Sequence, residues 1–268
     1  MNKPLSYKGI VVIAHGMMEH AGRYAEFSRF LDDAGYHVYG KNHRGHGPGA
    51  KLGQIDGGWD DLVNDLKAVI DSAKKEHPGL PVFLFGHSMG SFLAQDVALR
   101  WGKELKGIIL SGSSFQNRLS TGFGMLATKF LSEKVIHSIV FGGFNKAFRP
   151  NRTDYDWLSR DEKEVDNYIA DPLCGFVCSR AFFYALFSGL FHLYGHCDRM
   201  PKNLPILFIS GAKDPLGQSV PKLIRIYQSC GVTDIQSHFY PDGRHESLNE
   251  INRRQVYSNI LDWLSSHI

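Results

Sequence analysis

One segment, from residue 81 to residue 101, constrains the fold more than any other. It opens with the apolar run PVFLF, continues through Gly86-His87-Ser88-Met89-Gly90, and ends in a stretch of helical pattern. A run without polar alternation is typical of a strand buried on both faces of a parallel sheet, and glycine tolerates the close backbone contacts of a tight turn. The segment therefore predicts a central strand, a sharp turn that exposes Ser88, and a helix.

Apolar runs of strand length alternate with segments of helical period along most of the chain. Such alternation indicates an α/β protein with a mostly parallel sheet and helices on both faces. We expect about six strands. They lie at 10–14, 37–39, 81–85, 106–110, 205–210 and 235–240, and the helices between and after them at 26–34, 60–73, 91–101, 220–228 and 249–265.

A long segment between the fourth and fifth expected strands interrupts this alternation. Ordinary connections in such folds have about 2–6 residues, so this segment must form a substructure of its own. We expect residues 113–203 to form an inserted, mainly helical cap on a core made of residues 1–112 and 204–268. Open α/β sheets bind ligands at the carboxyl ends of their strands, and a cap would cover that edge.

A serine becomes a nucleophile only beside a base that an acidic group orients. Where G-x-S-x-G joins a strand to a helix, the partners follow in the order serine, acid, histidine. Among the histidines after Ser88, His245 lies in the turn directly after the last expected strand. Asp214, in the turn after the preceding strand, is the expected acid. Asp242 is too close to His245 in sequence, and Asp234 lies at the wrong end of its strand.

Two backbone N–H groups are needed to hold the oxyanion that forms when a serine attacks a carbonyl. One belongs to the residue after the nucleophile, here Met89, and the other to the loop after an early strand. His15-Gly16-Met17 directly follows the first expected strand. We therefore expect the Met17 and Met89 amides to form the oxyanion hole, and His15 to make a structural hydrogen bond.

Five sequence blocks stand in order along the chain: His15–Tyr24, Arg44–Gly47, Gly86–Gly90, Ile209–Pro215 and Arg244–Glu250. Together they resemble the monoacylglycerol lipase and lysophospholipase group of α/β-hydrolases, which also contains serine aminopeptidase-like sequences. The bacterial branch is the more similar, and the resemblance covers nearly the whole chain. It implies an α/β-hydrolase that cleaves carboxylic esters, in the first place monoacylglycerol- or lysophospholipid-like acyl esters, through an acyl-enzyme and without a cofactor. It also implies the triad and the two amides named above.

Two features depart from the pattern of that group. Asn42 stands where the group usually has an acid, ahead of the Arg44–Gly47 block, and only about nine residues precede the strand that leads to His15. Members of the group normally have a β-hairpin before that strand, so we expect the sheet to lack this first hairpin. We expect the change at Asn42 to affect loop hydrogen bonding rather than chemistry.

Aromatic and methionine side chains concentrate in the insertion and in the loop around Met17. Many of them must form the insertion's own core, yet a core and a pocket can share a wall. An apolar wall favours an acyl chain, so we expect a medium or long acyl ester of a small polar alcohol such as glycerol. The side chains expected to bind it are Met18, Phe115, Met125, Phe183 and Phe187.

Two other function classes stay open. A serine peptidase or amidase would use the same triad and would need acidic side chains in the insertion to hold a substrate amino group. The acids between Asp154 and Glu164 allow this, although a solvated helix face explains them more simply. A ligand receptor on the same fold usually lacks a triad member, whereas Ser88, His245 and Asp214 are all present.

Charge and hydropathy restrict the partners. The chain has 30 Lys+Arg against 27 Asp+Glu and no dense basic block, so it lacks the clustered basic residues that nucleic-acid binding requires. The longest aromatic-rich stretch, residues 181–194, is too short to cross a bilayer. We expect a cytoplasmic protein that touches lipid surfaces at most transiently through the cap, and we leave its oligomeric state open.

The cysteines raise two questions. Four cysteines are too few for a disulfide framework in a chain of this length, so we expect mostly reduced thiols. Cys174, Cys178, His192 and His196 nearly reproduce the spacing of a zinc site. The residues between the two pairs are rich in phenylalanine and leucine, which favours an apolar face over a metal site.

Overall fold

The computed structural model describes residues 6–268, so the first five residues of the expected core lie outside the described residues. Within that range one sheet has the strand order β2-β1-β3-β4-β5-β6, and every neighbouring pair is parallel. The prediction of about six mostly parallel strands is confirmed. The strands are β1 (Gly9–Ala14), β2 (Tyr36–Gly40), β3 (Val82–His87), β4 (Gly107–Ser111), β5 (Ile206–Gly211) and β6 (Ile235–Tyr240).

Helices cover both faces of the sheet. They are α1 (Ala25–Asp33), α2 (Trp59–Glu76), α3 (Met89–Trp101), α4 (Arg118–Phe130), α5 (Glu133–Phe141), α6 (Glu162–Ala170), α7 (Arg180–Leu193), α8 (Val220–Ser229) and α9 (Arg253–Ser266). The expected start of the last helix at residue 249 is wrong. A 3-10 turn, Ser247–Asn249, comes first, and α9 begins only at Arg253.

The alternation of side chains along each strand produces two apolar layers. Ile10 and Val12 of β1 belong to the layer that contains residues of α2, α3 and α8, whereas Val11 and Ile13 belong to the layer that contains residues of α1 and α9. All six residues of β3 are buried, as expected from the apolar run with which it begins. The central strand that ends at the G-x-S-x-G turn is therefore held from both sides.

The segment between β4 and β5 contains α4 to α7 and is mainly helical. Its last helix, α7, packs into the core of the molecule, because Phe182 and Phe183 are fully buried in the same cluster as residues of α2 and α3. The segment thus packs on α2 and α3 through α7, while α4 lies against α7.

Two of the four cysteines form a disulfide, which corrects the expectation of mostly reduced thiols. Cys197, just after α7, and Cys230, at the end of α8, have Cα atoms 6.0 Å apart, within the range that a disulfide spans. Cys174 and Cys178 are free and buried. No helix within residues 6–268 combines the length and the apolar character that a membrane crossing requires.

Candidate active site

Ser88 occupies the sharp turn between β3 and α3. Its φ of 51° is in the left-handed region, which is a strained conformation for a residue with a side chain. The turn is compact enough that a Cβ on Gly86 would lie 2.3 Å from the Gly90 carbonyl oxygen, and one on Gly90 would lie 2.1 Å from that of Ala14. Both glycines of the motif are therefore required by close backbone contacts, and Ser88 is lifted above the sheet edge.

Asp214 and His245 meet at the same edge of the sheet, although 30 residues separate them in sequence. The Nδ1 atom of His245 lies 3.1 Å from both carboxylate oxygens of Asp214, and both side chains are buried. Because a carboxylate only accepts hydrogen bonds, Nδ1 carries the proton and Nε2 is left as a base.

Burial alone would lower the pKa of His245. The Asp214 carboxylate, through its charge and its hydrogen bond, outweighs burial, and the Glu246 and Glu19 carboxylates add to its effect, so that the pKa is raised above its ordinary value. The imidazolium form is therefore stabilised at this position, which a general base in acyl transfer requires.

Ser88 and His245 line one cavity. Within residues 6–268, no hydrogen bond joins the Ser88 hydroxyl to the His245 ring, whereas the Asp214–His245 contact is formed. In structures without substrate such bonds are often long and shorten only in the complex. The three side chains thus share one site, with two of them in direct contact.

The loop after β1 presents the second expected oxyanion donor. Met17 and Met89 both line the cavity. Met89 is the first residue of α3, so its N–H has no partner within the helix. In the described part of the chain the Met17 N–H has no protein acceptor, while the neighbouring Gly16 and Met18 amides donate to Glu19 and His46.

Buried histidines lie behind this loop. His15 donates from Nδ1 to the Gly16 carbonyl at 2.7 Å and accepts from the His43 amide at 3.0 Å, which is the structural type of bonding expected for it. His46 accepts from the Met18 amide at 3.1 Å. Burial lowers the pKa of His46 and of His87 to about 4, so both are neutral near pH 7.

The cavity measures about 470 Å³ and has one apolar and one polar set of lining side chains. The apolar side chains come mainly from the insertion and include Ile139, Val140, Phe141, Phe144, Leu158, Leu186, Phe187 and Leu190. The uncharged polar ones include Ser114, Gln116, Ser120 and Thr121, which come after β4 in the chain, and Gln218 and Ser219, which come after β5. A cavity of this size and composition is typical of small-molecule sites.

Comparison with known proteins agrees with this geometry. The model of the Hydrolase_4 family, described as serine aminopeptidase, S33, matches residues 6–252. The chain belongs to this family. The monoacylglycerol lipase of Mycolicibacterium smegmatis is 29% identical to it, over 97% of this chain and 89% of the relative. Human monoglyceride lipase is 30% identical, over 91% of this chain and 81% of the relative.

Solved structures place this Hydrolase_4 member among esterases and lipases. A thermostable carboxyl esterase from Bacillus coagulans, in complex with glycerol, superposes with a TM-score of 0.90 at 27% identity, covering 99% of this chain and 92% of the other. The monoacylglycerol lipase of Paleococcus ferrophilus, at 23% identity, has the same fold with a TM-score of 0.75, covering 100% of this chain and 98% of the other. The predicted α/β-hydrolase fold and the predicted class, a carboxylic ester hydrolase, are confirmed.

The structure divides the side chains that we expected to bind substrate. Met18 and Phe187 line the cavity. Phe115, Met125 and Phe183 lie outside its lining. Phe183 is fully buried one helical turn from Phe187, and the Phe115 ring packs against Tyr194. Some aromatic side chains of the insertion are thus buried in the core, and others line the cavity.

The zinc-like spacing does not correspond to a cluster. Among the described residues, the group of at least three potential ligands within 4.8 Å of one another is His20, Asp171 and Cys174. Only Cys174 of this group belongs to the zinc-like pattern, so no two residues of that pattern come together in it. There His20 donates from Nε2 to Asp171 at 2.8 Å and accepts the Gly22 amide at Nδ1. Both ring nitrogens therefore have hydrogen-bonding partners.

Several residues of the site escaped sequence reasoning. The Trp157 carbonyl accepts the His245 amide at 3.2 Å, and the two rings are 4.9 Å apart. Glu19, Arg23 and Glu246 form a buried ionic group under the cavity. The signal for these three was their position inside the blocks that carry the family resemblance, where charged residues adjoin the expected catalytic loops.

Proposed function

We propose that this chain hydrolyses acyl esters of glycerol or of a similar small polar alcohol, through an acyl-enzyme on Ser88. The observation that carries the proposal is the buried Asp214–His245 pair, which opens onto the same apolar cavity as the strained Ser88 turn. The relatives named monoacylglycerol and monoglyceride lipases support the substrate class.

In the first half of the reaction, His245 accepts the Ser88 hydroxyl proton at Nε2 while Oγ forms a bond to the ester carbonyl carbon. The Met17 and Met89 amides donate to the carbonyl oxygen as it becomes negative. The tetrahedral intermediate then breaks its bond to the alcohol oxygen, and His245 returns the proton to that oxygen. The alcohol leaves and the acyl group remains on Ser88.

Water repeats the sequence in the second half. His245 removes a proton from water, whose oxygen bonds to the acyl carbon, and the proton then passes to Ser88 Oγ as the fatty acid leaves. Asp214 holds the imidazole in the tautomer that keeps Nε2 as the base and stabilises its transient positive charge. No other reactant is required.

The two kinds of lining side chain support the substrate assignment. The apolar side chains from the insertion suit an acyl chain, since burying it removes apolar surface from water. The polar side chains that follow β4 and β5 suit the hydroxyl groups of a small alcohol, which need hydrogen-bond partners once buried. A fatty acyl monoester of glycerol matches both kinds of side chain.

Residues 113–203 act in this proposal as a cap that contacts lipid surfaces. One face of α4 exposes Leu119, Phe123, Leu126 and Phe130, each at least half accessible. Their spacing of four, three and four residues forms a stripe along the helix. The helix carries two basic residues and no acid, which suits contact with a phospholipid surface.

A cytoplasmic location stays a prediction from the sequence. The Cys197–Cys230 disulfide bears on it, because disulfides are rare in a reducing cytosol. In that compartment we expect both thiols to be reduced, and in an oxidising one we expect the bond to persist.

The test is a panel of p-nitrophenyl esters from acetate to laurate, run beside aminoacyl anilides. We expect kcat/KM to rise with acyl length and the anilides to be turned over far more slowly. Preference for the anilides would instead favour the peptidase alternative, and no turnover of either series would favour a receptor. Against the peptidase, the carboxylates that line the cavity, Glu19 and Glu246, are already paired with Arg23.

A further inference from the structure

Arg23, Glu19 and Glu246 form a buried ionic group directly under the cavity, and the proposed reaction uses none of them. Arg23 donates to both oxygens of Glu246, at 2.6 and 2.7 Å, and to Oε2 of Glu19 at 2.8 Å. The two carboxylate residues are 3% and 5% exposed. Paired N–H bonds from one guanidinium fix orientation as well as distance.

Glu19 connects this group to the expected oxyanion loop. Its Oε1 atom accepts the Gly16 amide at 2.5 Å and the Tyr24 hydroxyl at 2.8 Å. On the other side of Met17, the Met18 amide donates to His46. With both neighbouring amides held by buried side chains, the direction of the Met17 N–H is fixed.

Glu246 connects the same group to the histidine loop, because it directly follows His245. The two loops follow β1 and β6, which three other strands separate in the sheet. The hydrogen bonds between strands therefore do not join these loops directly. Arg23 does join them, through one carboxylate from each loop.

Both carboxylates keep their charge in this setting. Burial pushes the pKa of Glu19 and of Glu246 upward, but Arg23 together with the other charges and hydrogen bonds around each carboxylate outweighs burial, and both pKa values are lowered. Two negative charges against one positive leave the group with a net charge of −1 beside His245. The Asp214, Glu246 and Glu19 carboxylates all favour the imidazolium form of His245.

We propose that Arg23 is a positioning residue that holds the Met17 amide and the His245 ring at their working separation, by binding Glu19 and Glu246 in one network. The inference rests on the proposed function, since it assigns Arg23 a part in that reaction. It predicts that weakening the network slows the chemical steps and leaves substrate binding in the apolar cavity unchanged.

The first test is Arg23→Lys, which keeps the charge and removes the planar pair of N–H donors. A displacement of about 1 Å in a catalytic group costs about 100-fold in rate, so we expect kcat to fall about 10- to 100-fold with KM unchanged. The rate of Ser88 phosphonylation by a fluorophosphonate should fall by the same factor. The matched control is Arg100→Lys, because Arg100 makes an equivalent two-point contact with Asp96, away from the cavity.

Glu19→Gln is the second variant, and it keeps the side-chain volume. Gly16 and Arg23 donate to different oxygens of Glu19, and the amide NH2 that replaces one of these oxygens cannot accept a hydrogen bond. One link is therefore lost, and we expect kcat to fall about 10-fold with KM unchanged. The acid limb of the kcat/KM profile should also move to lower pH, because a negative charge near His245 disappears. The charge effect alone would move the limb, so the deciding readouts are kcat and the rate of Ser88 phosphonylation, which a role limited to stability would leave unchanged in the folded variant.

The outcomes separate the two proposals. The positioning role is overturned if the wild type is active and labelled and the folded variants Arg23→Lys and Glu19→Gln have unchanged kcat. It is also overturned if Arg100→Lys loses as much kcat as Arg23→Lys. If Arg23→Lys fails to fold, Glu19→Gln decides alone. Absence of both turnover and Ser88 labelling in the wild type would instead overturn the proposed function.

Discussion

Replacing Asp214 with asparagine removes one negative charge from the site and changes little else. In the wild type, Nδ1 of His245 donates to a carboxylate whose two oxygens are both 3.1 Å away. The asparagine amide can instead donate to Nδ1, which moves the ring proton to Nε2, where the base is needed. The variant ring is then correctly placed but in the wrong tautomer.

The size of the effect follows from these two losses. A triad whose acid becomes an amide loses about 10⁴ in kcat, which corresponds to about 5 kcal/mol in the barrier. Asp214 also opposes the effect of burial on His245. Without the carboxylate, burial dominates and the pKa of His245 falls, so we expect the acid limb of kcat/KM to move to lower pH.

Stability should respond in a defined pH range. The pKa of His245 is raised in the folded protein, so protonated His245 stabilises the fold fully below about pH 6.5, the unfolded value. This contribution is lost as pH rises through the folded pKa. The difference in unfolding free energy between wild type and Asp214→Asn, from urea melts, should therefore be larger at pH 5.5 than at pH 9.

Asp242→Asn provides the matched control for this variant. Asp242 lies three residues before His245, its side chain is exposed, and its φ of 56° suits asparagine equally well. We expect wild-type kcat and pH dependence from it, measured with p-nitrophenyl laurate. Near-normal kcat in Asp214→Asn, or an equal loss in Asp242→Asn, would refute the assignment of the acid.

Three further changes test other parts of the account. Phe187→Ala should lower kcat/KM for laurate about 10-fold relative to acetate, whereas Phe191→Ala, outside the cavity lining, should leave the ratio unchanged. The double variant Leu119→Gln and Phe123→Gln should bind phospholipid vesicles at least about 10-fold more weakly and should hydrolyse p-nitrophenyl acetate at the wild-type rate. If the variant sediments with vesicles as the wild type does, this face of α4 does not contact lipid. Cys197→Ser should cost about 3–4 kcal/mol in urea unfolding, from the loop of 33 residues that the disulfide closes, and an unchanged midpoint would show that the bond is not formed.

Sequence reasoning works here where the signal is local. The run before Ser88 and the two glycines around it determine a buried strand and a tight turn by steric requirements alone. Chain order then leads to Asp214 and His245, because parallel strands bring successive turns to one edge of the sheet. Met17 is found in the same way, because its loop directly follows the first strand and reaches the same edge.

Sequence reasoning fails where the outcome depends on tertiary packing. Phe183 and Phe187 look alike in sequence, and only the way α7 packs against α2 and α3 separates a core residue from a cavity residue. Cys197 and Cys230 meet because two helices end side by side. Arg23 lies in a block that carries the family resemblance, but nothing local shows that Glu246 will reach it from the far end of the chain.

The most direct test of the central claim is to identify the residue that a fluorophosphonate modifies, by mass spectrometry of the digested protein. The account predicts a single adduct on Ser88, absent in Ser88→Ala, together with loss of ester hydrolysis in that variant. An adduct on another residue, or hydrolysis by Ser88→Ala at the wild-type rate, would contradict it.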